Sequence, residues 1–121
     1  MFNLYQADLM DYYQNPRNKG VIVPANFQTA EHNPSCGDYI SFTAQIDPAT
    51  GVINQIKFDG RGCVISLATA SKLTELLLNQ NFNYISQIMP EDILKLVGLT
   101  LGPTRLRCAL LSLEALQKTS G

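Results

Sequence analysis

The run Tyr39-Ile40-Ser41-Phe42-Thr43-Ala44-Gln45-Ile46, followed by Asp47-Pro48-Ala49-Thr50-Gly51, decides the fold class. Ile40, Phe42, Ala44 and Ile46 alternate with Tyr39, Ser41, Thr43 and Gln45. A period of two is that of a half-buried β-strand, because successive side chains point to opposite faces of a sheet. Residues 47–51 are turn chemistry, rich in the types that bend a chain tightly. A second run over residues 52–59 carries Ile56 and Phe58 on one face. The two runs read as an antiparallel hairpin. A third strand is expected near residues 27–32. A sheet this small exposes an apolar face that helices must cover.

The helices lie on either side of the hairpin. Upstream, Leu4, Ala7, Leu9, Met10 and Tyr13 fall at mixed helical spacings. Asn15-Pro16 ends that pattern, because a residue before proline is pushed out of helical geometry. Residues 16–26 hold two prolines and Gly20 and read as loop or extended chain. Downstream, Gly60-Arg61-Gly62 punctuates the passage from strand to helix. Residues 63–79 are good helix formers with an apolar face through Ile65, Ala68, Leu73 and Leu76. Residues 84–97 read as one or two short helices, restarting at Pro90-Glu91-Asp92, since proline suits the first helical turn. The chain breaks again over 98–103. The last helix is expected over 104–118, with Leu106, Ala109, Leu110, Leu113 and Leu116 as its apolar stripe. The expectation is an α+β domain: a small antiparallel sheet of about three strands covered by helices, the C-terminal one long.

Composition bounds the function. The chain of 121 residues fits one compact domain, 1–121. A domain of that size buries roughly 65% of its unfolded surface, enough for a core without disulfide staples. Hydrophobic residues at 45% against 16% charged argue for a globular chain over a disordered one. The net charge is −1 with no basic block, which argues against nucleic acid as a partner. No apolar run approaches the roughly 18 residues of a membrane span. Residues 1–8 lack the basic start and apolar stretch of a signal peptide, so a cytoplasmic location is expected. In that reducing compartment three cysteines, an odd number, read as thiols, ligands or catalysts before they read as a disulfide framework.

Each cysteine has a distinct setting. Cys36 lies in Asn33-Pro34-Ser35-Cys36-Gly37-Asp38, a turn before a strand, with Asp38 two residues on. Cys63 follows Gly60-Arg61-Gly62 and opens a helix, whose N-terminus favours negative charge and so suits a thiolate. Cys108 sits in the final helix. At 100° per residue it falls opposite the apolar stripe, where a cysteine used only as core filler does not belong. The plainer reading stands beside this one: free cysteine is among the most buried residue types and often acts as a small hydrophobe. The spacings of 27 and 45 residues match no local zinc-finger pattern.

Four stretches change the balance: residues 4–20 ending in Tyr12-Tyr13-Gln14-Asn15-Pro16-Arg17-Asn18-Lys19-Gly20; Asn33-Pro34-Ser35-Cys36-Gly37-Asp38; Gly60-Arg61-Gly62-Cys63-Val64-Ile65-Ser66-Leu67-Ala68-Thr69-Ala70-Ser71; and Arg105-Leu106-Arg107-Cys108-Ala109-Leu110-Leu111. In this order they resemble the iron–sulfur cluster assembly scaffolds of the IscU, SufU and NifU N-terminal family, over nearly the whole chain. The resemblance implies an IscU/SufE-like fold. It implies that Cys36, Asp38, Cys63 and Cys108 meet at one exposed end and hold a transient 2Fe–2S cluster or Zn2+ at the same site. It further implies a non-catalytic scaffold and carrier. Its partners would be a cysteine desulfurase, an iron donor, and apo acceptor or carrier proteins.

The chain departs from the IscU pattern at two places. Arg107 stands where IscU-type members carry histidine, and Leu101-Gly102-Pro103-Thr104-Arg105 replaces a Leu-Pro-Pro-Val-Lys segment read by a chaperone. The stretch between Cys63 and Cys108 is short for the SufU type, although the helix motif at Cys63 resembles it. The SufU type implies a zinc-dependent sulfurtransferase; Cys108, off the apolar stripe and near a helix start, is then the candidate persulfide acceptor. His32 reads first as a solvent-facing or hydrogen-bonded strand residue and second as a spare ligand. Arg61 and Arg105 flank the expected site.

Overall fold

Residues 38–46 form the middle strand of a three-stranded antiparallel sheet of order β1-β2-β3. The computed structural model describes residues 4–34, 37–98 and 101–120. Helix α1 is Leu4–Gln14, β1 is Phe27–Asn33, β2 is Asp38–Ile46 and β3 is Ile53–Arg61. Helix α2 is Val64–Leu77, a short 3-10 helix spans Phe82–Gln87, α3 is Pro90–Val97 and α4 is Pro103–Ser120. The α+β class and the hairpin stand as expected from the alternation.

The inward face of β2 carries Ile40, Phe42 and Ala44, all buried. Across the ladder Phe42 pairs with Phe58 and Ala44 with Ile56, which puts the apolar members of both strands on one face. Burying a side chain of this size stabilises by about 1.5–3 kcal/mol. Ile46 leaves the series. The ladder shifts register between Gln45 and Ile46, and Ile46 is only half-buried. Gly60 pairs with Ile40 near the far end of the ladder. Its φ is +148°, and a Cβ there would stand 2.0 Å from the Tyr39 carbonyl oxygen, so no larger residue fits.

Helices α2 and α4 cover the sheet. Helix α4 packs on β1 and β2, α2 packs on β3, and the two pack on each other. The chief neighbour of α1 is α2, and α3 packs against both α4 and α2. The Thr29 hydroxyl on β1 donates to the Ala115 carbonyl of α4 at 2.6 Å, and Gln117 Nε2 donates to the Ile85 and Ile88 carbonyls. The Pro16-Arg17-Asn18 segment stitches α2 to β3. Arg17 N–H donates to Ser71 Oγ at 2.8 Å, Asn18 Nδ2 donates to Thr74 Oγ1 at 3.1 Å, and the Asn18 carbonyl accepts from Phe58 N–H at 2.9 Å.

The stripe expected on α4 is corrected. The buried residues are Cys108, Ala109, Leu111, Ser112, Leu113, Ala115 and Leu116, while Leu106 and Leu110 are half-buried. They cover an arc of about 200° at 3.6 residues per turn. The reason is position: α4 lies between the sheet on one side and α2 and α3 on the other, so more than half its circumference is inside. Cys108 therefore belongs to the core-facing arc and not to the opposite side. Helix α2 is similarly enclosed, with Ser66, Thr69, Ser71 and Thr74 buried beside its apolar residues and Leu77 inside in place of Leu76. No helix among the described residues is long and apolar enough to cross a membrane.

Candidate metal centre

Three separate elements deliver their first or early residues to one end of the sheet. Asn33, the last residue of β1, pairs with Asp38, the first of β2. The turn between them closes with Gly37 N–H donating to the Asn33 carbonyl at 2.8 Å, and Gly37 takes φ +77°, which glycine adopts without strain. Asp38 follows on the inward face and is 5% exposed. Cys36 lies outside the described residues.

Cys63 is the N-cap residue of α2, one position before the helix proper, with φ −76° and ψ 170°. Its side chain makes no capping hydrogen bond, and the residue is exposed. Cys108 comes in the second turn of α4 and is 4% exposed. The ligand-forming atoms of Asp38, Cys63 and Cys108 all lie within 4.8 Å of one another. Donors around a tetrahedral zinc with Zn–S near 2.3 Å stand about 3.8 Å apart, so the three fit one ion after small rotations. Two soft sulfurs and one hard oxygen form a donor set that suits zinc or iron.

Two further residues shape the group. Ser66 lies one turn into α2 on the same side as Cys63. Its hydroxyl donates to Asp38 Oδ2, and its Oγ is 3.5 Å from Cys63 Sγ. Gly62 backs onto the carboxylate: a Cβ there would stand 2.7 Å from Asp38 Cγ and 3.0 Å from Oδ1. Sequence reasoning singled out neither as part of the site. The signal for Ser66 was its place three residues after a cysteine at a helix start, which puts both on one helix face.

Burial pushes the Cys108 thiol up to about 12, and the neighbouring Cys63 and Asp38 push the same way, while Ser66 opposes them. Without a cation in the site, Cys108 is a neutral thiol, as a buried sulfur beside an acid should be. The basic residues stand further out. Arg61, Arg105 and Arg107 are exposed. Arg107 lines a cavity of about 330 Å³ with His32, Asn33, Pro34, Leu111 and Glu114. His32 is exposed on β1, opposite Tyr39 in the ladder, as its first reading had it.

The chain is similar to known proteins. A zinc-dependent sulfurtransferase SufU from Bacillus subtilis (strain 168) is 36% identical over 132 residues, covering 95% of this chain and 88% of the relative. An iron–sulfur cluster assembly scaffold protein IscU from Aquifex aeolicus (strain VF5) is 35% identical over 112 residues, covering 93% of this chain and 71% of the relative. A crystal structure of a protein named only as hypothetical superposes with a TM-score of 0.80 at 28% identity, covering 97% and 96% of the two chains. The family described as NifU-like N terminal domain matches residues 4–120. The chain belongs to the NifU-like N-terminal domain family.

Proposed function

We propose that this chain is a single-domain scaffold and carrier for iron–sulfur cluster assembly in the cytoplasm, with Cys36, Asp38, Cys63 and Cys108 as the ligands of its cargo. The observation that supports it is the approach of Asp38, Cys63 and Cys108 to within 4.8 Å of one another from three different elements. Sulfur arrives as persulfide from a cysteine desulfurase, an external electron donor reduces each sulfur to sulfide with two electrons, iron arrives from a donor, and the 2Fe–2S cluster built from them is the cargo handed to an apo acceptor. The chain's residues divide the work. Thiolates are the ligands that hold iron–sulfur clusters, whereas the Asp38 carboxylate is a harder donor and holds less firmly, which favours release. Cys63, exposed at the helix start, is the side from which cargo enters and leaves. Asp38 and Cys108 form the buried wall.

A second reading is favoured by the 36% identity to the sulfurtransferase and its coverage of that protein. Zn2+ would then occupy the same residues. A thiolate of this chain would attack the terminal sulfur of the desulfurase persulfide, and the desulfurase thiolate would leave. The reason for choosing Cys108 as acceptor, a place off the core, falls with its burial. Under this reading Cys63 meets the donor first, and Cys108 accepts only once the site opens.

One experiment separates the two. Zinc, iron and acid-labile sulfide are measured after anaerobic purification and again after reconstitution with iron, cysteine and a desulfurase. Stoichiometric iron and sulfide with zinc displaced is the outcome expected of the scaffold. Retained zinc, no cluster and faster desulfurase turnover would select the sulfurtransferase, and absence of both metals would reject the metal centre.

A further inference from the structure

Ser66 is fully buried, yet it is a polar residue at a helix position where alanine has the higher helix propensity. Its hydroxyl is committed to Asp38 Oδ2, from the first turn of α2 to the first residue of β2. The same oxygen lies 3.5 Å from Cys63 Sγ. A hydroxyl carries one donor hydrogen and two acceptor pairs, so it can bridge two groups in this way. Gly62 completes the clamp from the other side, because any Cβ there would press on the Asp38 carboxyl carbon. Asp38 and Cys63 reach the site from different elements, and Ser66, which is not itself one of the sulfur or carboxylate ligands, touches both.

We propose that Ser66 is the positioning residue of the centre, holding the Asp38 carboxylate and the Cys63 sulfur in the arrangement that receives a metal. The proposal rests on the ligand set given above. Ser66 touches the ligands and not the cargo, so it acts through them. Outer partners that orient metal ligands commonly change affinity by about 10- to 100-fold when removed. A carboxylate released from its donor at a buried position turns toward other partners and is no longer preorganised. Alanine at position 66 keeps helix propensity and removes only the hydroxyl.

The test is zinc affinity by competition with a chromogenic chelator, on the full chain and under reducing conditions. Ser66→Ala is expected to weaken zinc about 10- to 100-fold with unchanged far-UV circular dichroism. It should also alter the visible ligand-field bands of the Co2+-loaded protein. Ser66→Thr, which keeps the hydroxyl, should recover most of the affinity. Gly62→Ala, which displaces the carboxylate sterically, should resemble Ser66→Ala. In an Asp38→Ala background the Ser66→Ala change should lose part of its effect, because one of the two groups it positions is gone. Parent-like zinc affinity and Co2+ bands in Ser66→Ala, or an undiminished loss in the Asp38→Ala background, would overturn the positioning role alone. A parent protein that binds neither zinc nor Co2+ would overturn the metal centre and this role together.

Discussion

Asp38 and Phe42 stand on the same face of the same strand, and both are almost completely buried. The strand's period of two carries the inward series Asp38, Ile40, Phe42 and Ala44 without a break. Their energetics are opposite. Phe42 needs only to leave water, and each Å² of apolar surface removed stabilises by about 25 cal/mol. A carboxylate at the same depth costs free energy unless it finds partners. Asp38 finds the Ser66 hydroxyl and two sulfurs, because the start of α2 and the second turn of α4 arrive at that end of the strand. Backbone alternation thus decides that a residue is buried, and the neighbouring elements decide whether burial makes core or a site. The boundary falls between residues 38 and 40.

That contrast can be broken most forcefully at its apolar end. Phe42→Ala should cost about 3–5 kcal/mol of stability in denaturant titrations, through lost burial and the cavity left beside Phe58. A loss under about 1 kcal/mol would mean that the hairpin face is not the main core. The acidic end should behave differently. At free zinc near 100 times the dissociation constant, the parent should gain about 2.7 kcal/mol of stability. Asp38→Ala at the same zinc concentration should gain about 1.4 kcal/mol or less, the value for a site at least tenfold weaker. Equal gains, read as melting shifts with and without zinc, would remove Asp38 from the ligand set. The smallest effect is expected where a buried hydroxyl does no such work. Ser112 Oγ on α4 is buried with no hydrogen-bond partner among the described residues. Ser112→Ala should therefore be neutral or stabilise by up to about 1 kcal/mol. A clear loss of stability would point to an interaction of Ser112 as specific as that of Ser66.

Much of the fold was legible because its signals are local. The alternation over 39–46, the turn at 47–51 and the stop at Asn15-Pro16 each act within a few residues, and all three elements appear where these signals put them. The α4 stripe was not legible in the same way. Large aliphatic residues marked one face, but the enclosed arc also takes in Cys108, Ser112 and Ala115, whose small side chains carry little hydropathy signal. The same blindness hid Ser66, Ser71 and Thr74, since a serine or threonine in a helix reads as surface until its partner is known. In the candidate site, Asp38, Cys63 and Cys108 came from motif resemblance, and their approach to one another is tertiary. The mistaken expectation that Cys108 sits off the core came from treating α4 as a surface helix.

By itself the sequence determined the class of the domain, its strands and most helix limits, because steric and hydrogen-bonding preferences of the backbone act over a few residues. Asp38 read as part of the turn before the strand, and the structure made it the first residue of β2, on the face of Ile40 and Phe42. The tertiary structure decided the rest. It placed α4 between two layers and so buried Cys108. It brought the cap of α2 against the first residue of β2, and it gave Ser66 a partner 28 residues away. Those contacts depend on how elements pack, and no periodicity within one element can encode the face that a distant element will present to it.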